Sequence, residues 1–302
     1  FYKSSRVKRW KMCIGLLLYN FLSMFKKVGP VKLINKNKIP HLSKKNLLNA
    51  ISYYDCTVLD SRLVIDTIKS ATEYGGRAEN YTSLQQIQQK DGVHHFKLED
   101  TINKTIPVHI SSSSIINATG SWSNQTLDIL KQNKKFSLKF TSGIHLTLHR
   151  DKLPIDSTIS MESTTDQRFI YIVPWEDWIL VGTTDKKITD INNPQIVDND
   201  ITYLLESLNH YFPTSNIGDA DIISVNIGTR PLITNNKTNN EVKMPRDHKI
   251  IQSDNKITSV TGGKLTTYRL MASKIVDTHL ETFFENKYKN KKSTLSPISG
   301  GD

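Results

Sequence analysis

Apolar residues recur every three to four positions in four stretches of the chain, which is the period of an amphipathic α-helix. Glycine and proline mark where the first two stretches stop, at Gly29-Pro30 and at Gly75-Gly76. Asp60 begins the second stretch, where a short carboxylate side chain is suited to an N-cap. The pattern therefore predicts helices at residues 10–25, 60–74 and 198–211 and from about 266 to 284.

Shorter apolar or alternating stretches, bounded by turn residues, predict strands. After the helix at residues 10–25 come strands and a second helix. Short alternating segments follow from Phe136, and a strand and a helix close the chain. This order predicts an α/β nucleotide-binding domain that is interrupted by an antiparallel, β-rich substrate domain. The predicted strands are 53–58, 78–87, 93–98, 108–110, 114–120, 145–148, 157–161, 169–173, 178–182, 220–227, 249–252 and 257–261.

Composition argues against several classes of protein. Of the 302 residues, 37% are hydrophobic, which is enough for a core and argues against wholesale disorder. Cys13 and Cys56 are too few for a disulfide framework or a cysteine zinc site. The longest apolar run, residues 12–22, falls short of the ~20 residues that cross a bilayer. Because the sequence starts at Phe1 rather than Met and ends on Ser-Gly-Gly-Asp, we expect a piece of a longer protein.

The chain is basic, with 40 lysines and arginines against 29 acidic residues and a formal net charge of +11. Most of the excess lies in the first 45 residues and at residues 287–292. Such an excess is typical of partners that are nucleic acid, anionic membrane or anionic substrate, and equally of a solvated surface. No RNA-binding signature or Cys/His finger occurs in the sequence, so nucleic acid is not a predicted partner.

The best local signal for chemistry is a predicted strand, two glycines and a helix at residues 257–284. This arrangement points backbone N–H groups and a helix dipole at an anion, and Lys264 and Arg269 add cations suited to phosphate. An ordinary strand-to-helix turn is the competing interpretation. The residues of this turn are Gly262, Gly263, Lys264, Leu265, Thr266 and Thr267.

Three further features are weaker when each is taken alone. Arg230, between Gly228 and Pro231, is placed for a bidentate anion contact, although a surface arginine explains it as well. His145 is a candidate general base, although a lone histidine is more often structural. His149 is not expected to share a face with it. A predicted strand ends in the small residues Asn117, Ala118, Thr119 and Gly120.

Six segments in register make the combination specific. Together they closely resemble the FAD-dependent, quinone-linked glycerol-3-phosphate dehydrogenases, over essentially the whole chain. The segments are YYDCTVLDSRLV (53–64), NATGSW (117–122), IYIVPWEDWILVGTTD (170–185), YLLESLNHYF (203–212), GTRPL (228–232) and GGKLTTYRLMA (262–272).

The resemblance implies oxidation of sn-glycerol 3-phosphate to dihydroxyacetone phosphate, with FAD as hydride acceptor and membrane quinone as electron acceptor. It also implies the FAD-binding Rossmann-like fold of D-amino-acid oxidase and glycine oxidase. By similarity, Arg230, Lys264 and Thr266 bind the substrate, and His145, Arg230 and Lys264 serve catalysis. The implied FAD contacts are Leu84, Asn117, Ala118, Thr119, Gly120, Gly262, Gly263, Lys264, Leu265, Thr266 and Thr267.

This sequence departs from the family pattern at several positions. The family's glycine-rich dinucleotide fingerprint precedes the region that starts at Phe1, so the chain alone is expected to bind FAD poorly and to be inactive. Thr229 stands where the family usually has Val, Ser121 where it has Pro, and Ile144 where it has Ser. An oxygen-reducing glycerol-3-phosphate oxidase and a non-catalytic, basic surface-binding remnant stay open as alternatives.

The resemblance also predicts how the chain is organised and where it works. The apolar stripe of helix 10–25 between basic flanks suits a membrane surface, and packing on its own domain is equally compatible with it. We expect a peripheral protein on an inner membrane, either the cytoplasmic face of a bacterial membrane or the mitochondrial inner membrane, and a homodimer stays open. The predicted domains are 1–50 (helix and basic linker), 51–125 (middle of the FAD-binding domain), 126–245 (substrate domain), 246–285 (closing strand and helix of the FAD-binding domain) and 286–302 (start of a further domain).

Overall fold

The computed structural model of the chain describes residues 2, 5, 9–22, 29–35, 39, 41–104, 107–133, 135–234, 247–284 and 297–301. The helices among these residues are α1 (Arg9–Leu22), α2 (Asp60–Glu73), α3 (Ser123–Ile129), α4 (Asp198–Tyr211) and α5 (Tyr268–Phe283). The strands among them are β1 (Lys32–Ile34), β2 (Ala50–Ser52), β3 (Thr82–Lys90), β4 (Val93–Asp100), β5 (Val108–Ser112), β6 (Ile115–Asn117), β7 (Leu138–His149), β8 (Ile159–Glu162), β9 (Phe169–Trp175), β10 (Trp178–Gly182), β11 (Lys186–Ile188), β12 (Ile222–Ile233), β13 (His248–Ser253) and β14 (Ile257–Gly262).

The chain divides into two units, each made of two stretches of sequence. The first unit comprises Phe1–Thr57 and Ser142–Thr229, and the second comprises Val58–Thr141 and Arg230–Asp302. A unit made of two separated stretches is what a domain interrupted by an insertion requires.

A sheet with the order β11-β7-β10-β9-β8, in which β12 also pairs with β7, carries the core of the first unit. Along β7, Ile144, Leu146 and Leu148 are buried while His145 and His149 are exposed, so alternation gives the sheet one core face. Helix α4 covers that face. Its buried residues are Leu204, Leu205, Ser207, Leu208 and Tyr211.

The second unit holds two smaller sheets. In one, of order β13-β14-β6, the pair β14–β6 is parallel and the pair β13–β14 is antiparallel. The other is the antiparallel meander β3-β4-β5. Ile87 on β3, Leu130 after α3 and Ile257 on β14 form one buried cluster, which packs the meander against the parallel pair.

The helices form largely where the apolar period predicts them, with differences at the ends. Helix α4 has the predicted bounds. The predicted end of the first helix at Phe25 and the basic cluster at 287–292 lie outside the described residues. Leu59, not Asp60, holds the N-cap position of α2, and the Asp60 carboxylate instead accepts the Ser61 N–H at 2.7 Å.

The predicted strand at 53–58 is wrong. Strand β2 ends at Ser52, and all six following residues are exposed and outside any ladder among the described residues. Tyrosine, threonine and valine favour extended backbone, but a strand needs a partner and a face to bury, and local sequence supplies neither. The predicted strand at 145–148, in contrast, is part of the twelve-residue β7.

Candidate cofactor and substrate site

Two neighbouring parallel strands of the second unit end at the same edge of their sheet. Asn117, the last residue of β6, is the register partner of Ser259 on β14. Residues 117–120, here the asparagine turn, leave β6, and residues 262–267, here the glycine turn, leave β14. Ligands of open α/β sheets bind outside the carboxyl ends of such strands. The structure thus brings together two segments that lie about 140 residues apart in sequence.

The side chain of Asn117 fixes the shape of the asparagine turn. It is 3% exposed, and its Nδ2 donates to Ser259 Oγ at 3.2 Å and to the Ser123 carbonyl at 3.1 Å. Its Oδ1 accepts the N–H of Thr119 at 3.3 Å and the Thr119 hydroxyl at 2.7 Å. Because both ends of the amide are engaged within the protein, Asn117 shapes the site and exposed Ala118 and Thr119 supply its surface.

Two buried hydroxyls tie the asparagine turn to β14. Thr261 Oγ1 donates to the Gly120 carbonyl at 2.9 Å. Ser123 Oγ lies 2.6 Å from the same carbonyl and 3.3 Å from the carbonyl of Val260. Sequence reasoning missed Ser123, Ser259 and Thr261. The signal for Ser259 and Thr261 was small hydroxyl residues near the end of an otherwise apolar strand, and Ser123 is the first residue of α3.

The glycines of the two turns serve different purposes. Gly262 and Gly263 have φ of +78° and +90°, and a Cβ at Gly262 would lie 2.6 Å from the Asp247 carbonyl oxygen. A Cβ at Gly263 would overlap only the flexible end of the Met271 side chain, so close packing against backbone requires Gly262, whereas the positive φ requires Gly263. Gly120 has φ of +57°, but nothing lies within 4 Å of the position its Cβ would take. The backbone at Gly120 is therefore open to approach by a bound group.

The remaining residues of the glycine turn face outward. Lys264, Leu265, Thr266 and Thr267 are exposed, and a short 3-10 turn, Leu265–Thr267, leads into α5. The Thr267 hydroxyl donates to the Lys264 carbonyl at 3.1 Å and so stabilises that turn. An exposed ammonium beside a strand-to-helix turn suits the binding of an anion.

Leu84 and Arg230 belong to the same unit as both turns. Leu84 lies on β3 at a β-bulge and packs, half-buried, against the cluster that contains Ile257 of β14. Arg230 lies half-buried on β12, at the start of the second stretch of this unit.

His145 belongs to the first unit and lies exposed on β7, where it is the register partner of Gly182 on β10. His149 is also exposed on β7, so the two histidines do share a face, because side chains four residues apart on a strand point the same way. They are roughly 13 Å apart at that spacing. His149 Nδ1 lies 3.2 Å from the Asp151 carboxylate. The described residues contain no group of three or more metal ligands.

Fold and sequence together define the class of this protein. Residues 10–269 match the family described as FAD dependent oxidoreductase (DAO), so the chain belongs to that family. The predicted fold class is thereby confirmed, as is FAD as the cofactor of the family.

Individual relatives indicate a narrower group within this family. The chain is 31% identical to an aerobic glycerol-3-phosphate dehydrogenase of Staphylococcus saprophyticus over 315 residues, which cover all of this chain and 56% of the relative. An enzyme of the same name from Staphylococcus aureus is 31% identical over 321 residues, again 100% of this chain and 56% of the relative. The chain thus spans about half the length of the curated relatives it matches, and its predicted resemblance to this group is confirmed.

Solved structures agree. The crystal structure of the glycerol-3-phosphate dehydrogenase from Bacillus halodurans, complexed with FAD, matches with a TM-score of 0.75 and 26% identity. The match covers 91% of this chain and 56% of that one. An FAD-bound L-α-glycerophosphate oxidase from Mycoplasma pneumoniae matches with a TM-score of 0.65 over 99% of this chain and 74% of that one. At 15% identity the second likeness shows the fold alone.

Proposed function

We propose that the protein to which this chain belongs oxidises the C2 hydroxyl of sn-glycerol 3-phosphate to the ketone of dihydroxyacetone phosphate, with FAD as its cofactor. The observation that carries the proposal is the shared edge of β6 and β14, where the asparagine turn and the glycine turn meet. Relatives of the same name at about 31% identity over the whole chain support the substrate.

The residues at this edge fit FAD. The open backbone at Gly120 gives a diphosphate or ribose room to approach, and the exposed asparagine-turn residues Ala118 and Thr119 lie beside it. The glycine turn adds backbone groups and Lys264, and the start of β3 at Leu84 is suited to the adenine end. When bound there, FAD supplies the two-electron acceptor that an alcohol oxidation requires.

The side chains of the chain would bind and orient the substrate. A dianionic phosphate is held best by guanidinium and ammonium groups, which are Arg230 and Lys264, with the Thr266 hydroxyl as a further donor. Oxidation of an alcohol also releases the hydroxyl proton. The imidazole of His145, which lies exposed on β7, is the group suited to accept it, because a neutral imidazole has a ring nitrogen that can take up a proton.

The electron acceptor separates two versions of this function. A membrane quinone is the proposal, supported by relatives named as dehydrogenases, and molecular oxygen is the alternative. Anaerobic reduction of a quinone analogue by the full-length protein and glycerol 3-phosphate, without peroxide under air, is the expected result. Peroxide formed in stoichiometric amount under air would favour the oxidase.

A membrane surface is the proposed place of work, with a homodimer as a proposed state. Helix α1 supports this, because its large apolar side chains are exposed, among them Leu17, Phe21 and Leu22 at 61%, 65% and 71%. No helix among the described residues has the length and hydropathy of a membrane span.

The proposed function is tested by measuring whether glycerol 3-phosphate reduces the bound flavin. Full-length protein with bound FAD should bleach at 450 nm on anaerobic addition of glycerol 3-phosphate, and unphosphorylated glycerol should bleach it far more slowly. Flavin that stays oxidised with glycerol 3-phosphate would contradict the proposed substrate.

A further inference from the structure

A short segment at the end of β10 lies against His145. Residues 182–185, here the threonine loop, begin at Gly182, the last register partner of β10 on β7. A Cβ at Gly182 would lie 2.8 Å from His145 Nε2 and closer still to Cδ2. The edge of the imidazole therefore rests on the Gly182 backbone, in space that only glycine leaves open.

The next contact fixes the backbone before His145. The N–H of Ile144 donates to Thr184 Oγ1 at 3.0 Å. Both residues are buried, with exposed fractions of 1% and 5%. After the ladder ends at Gly182, a side-chain hydroxyl thus replaces the next strand partner of β7. A buried amide without a hydrogen-bond partner would cost free energy of folding. This bond therefore fixes the backbone of β7 at Ile144, directly before His145.

An ion-pair network anchors the far end of the threonine loop. Arg168 Nη1 donates to the Asp185 carbonyl at 2.8 Å and lies 3.5 Å from the Asp185 carboxylate. Arg168 Nε lies 3.1 Å from the Asp166 carboxylate, which also accepts the Tyr203 hydroxyl of α4 at 2.8 Å. Because α4 is packed into the core of this unit, the network ties the threonine loop to that core.

The charge state of the network is favourable for this anchoring. Burial raises the pKa of Asp166, but hydrogen bonds from Ser163 and Tyr203 and the charge of Arg168 outweigh it, so the pKa is lower than usual. Asp166 therefore stays ionised and paired with Arg168 at neutral pH.

We infer that Thr184 and Gly182 are positioning residues that set where the His145 imidazole stands, with Arg168 as the anchor of their loop. The inference rests on the proposed function in so far as His145 accepts the substrate proton. A proton acceptor works only within hydrogen-bond reach of its proton, and a displacement of about 1 Å costs a rate factor on the order of 100. In this inference the threonine loop affects the reaction through the position of the His145 imidazole.

The kinetic test uses full-length, FAD-loaded protein. Thr184→Val should lower kcat about tenfold with KM changed less than about twofold and should shift the acidic limb of the pH profile, whereas Thr184→Ser should restore both. In the His145→Ala background, Thr184→Val should change kcat by less than about twofold, because its effect passes through His145. Equal losses in both backgrounds would overturn the inference.

A second variant and its control guard against unfolding. Gly182→Ala should displace the ring and lower kcat by about 100-fold. Gly218→Ala, at a half-buried loop glycine of the same unit with nothing within 4 Å of its Cβ position, should leave kcat unchanged. Gly218→Ala losing as much as Gly182→Ala would overturn the inference.

A spectroscopic readout separates this inference from the proposed function. The His145 imidazole resonance, assigned by its absence in His145→Gln, should move in Thr184→Val and stay in place in Thr184→Ser and Gly218→Ala. A resonance that stays in place in Thr184→Val overturns the inference, whatever the activity. If the wild-type protein fails to oxidise glycerol 3-phosphate while this resonance moves, the proposed function fails and the positioning of His145 stands.

Discussion

Side chains at the shared edge of β6 and β14 divide into those that hold the backbone and those that face outward. Asn117 engages its whole amide within the protein, while exposed Thr266 and Lys264 are directed to solvent. A residue-by-residue transfer of binding roles from sequence could not make this distinction. It depends on hydrogen bonds such as that from Thr261 to Gly120, whose partners lie 141 positions apart.

Replacing Asn117 should therefore cost stability. Asn117→Ala removes four hydrogen bonds from a buried site and leaves the buried Ser259 hydroxyl without its Asn117 partner, so we expect unfolding free energy to fall by about 2–3 kcal/mol. Urea unfolding measures the change. Gln125→Ala, which removes an exposed amide on α3, is the control and should change it by less than about 0.5 kcal/mol. Equal losses in the two variants would contradict the assigned role of Asn117.

Replacing Arg230 should instead cost substrate affinity. A charge-assisted phosphate contact contributes roughly 1.5–3 kcal/mol, so Arg230→Ala should weaken glycerol 3-phosphate binding by one to two decades. Binding of unphosphorylated glycerol, which lacks the anion, should change little. Titration of the flavin spectrum with each ligand measures both. If the two ligands lose affinity equally, Arg230 is structural and the phosphate is held elsewhere.

At the scale of elements, periodicity alone predicted α4 and β10 with their observed ends, because each buries one complete face. It failed at residues 53–58, where β propensity has no partner strand. Periodicity predicted individual helices and strands, but it did not predict which strands pair with each other to form the candidate site. The parallel register of Ser259 with Asn117 joins distant segments, and no local pattern encodes it.

Helix α5 carries a titratable group that should make stability depend on pH. His279 is 4% exposed, its Nδ1 lies 2.8 Å from Thr258 Oγ1 on β14, and its Nε2 has no partner among the described residues. Burial lowers the pKa of His279 below its ordinary value of 6.5. Neutral His279 therefore stabilises the fold fully above pH 6.5, and this contribution is lost as the pH falls toward the lower pKa of the folded state.

Between pH 7 and 5 the wild-type protein should thus lose unfolding free energy faster than His279→Gln does. The difference is bounded by about 1.4 kcal/mol per pH unit below 6.5. Denaturant unfolding at several pH values measures it. His109→Gln, which removes an exposed histidine on β5, should keep the wild-type slope. Identical slopes for wild type and His279→Gln would show that His279 does not carry the dependence.

Helix α1 should determine how much of the protein binds membrane. Leu17→Glu with Phe21→Glu removes apolar area that an interface would bury, so vesicle binding should fall by roughly tenfold or more. Cosedimentation of full-length protein with vesicles containing anionic lipid, at low and high salt, measures this. Val64→Glu, on the exposed face of α2, is the control. Unchanged binding of the double variant would assign the apolar face of α1 to protein packing.

On the scale of the whole molecule, the comparisons confirm the family, and the sequence motifs predicted it because six of them occur in order. The predicted domain boundaries stay a prediction. So does the poor binding of FAD by this chain alone, since the glycine-rich fingerprint expected to hold the diphosphate is not in its sequence.

Flavin binding by different lengths of the protein tests that expectation. Full-length protein should purify with flavin absorbance or gain it on FAD addition, whereas the 302-residue chain should bind FAD at least tenfold more weakly. Fluorescence quenching on titration with FAD measures both. Equal affinities would mean that the shared edge of β6 and β14 suffices for binding, and no flavin in the full-length protein would contradict the cofactor.

The distance in sequence between β6 and β14 has a consequence for biosynthesis. Ser259 emerges from the ribosome 142 residues after Asn117, which takes roughly 7–28 s at ordinary translation rates of about 5–20 residues per second. During that interval β6 lacks the strand that pairs with it, and its backbone groups are open to wrong partners. The nascent chain therefore carries an unpaired strand edge, open to aggregation or to a chaperone, after β6 has been made and before β14 arrives.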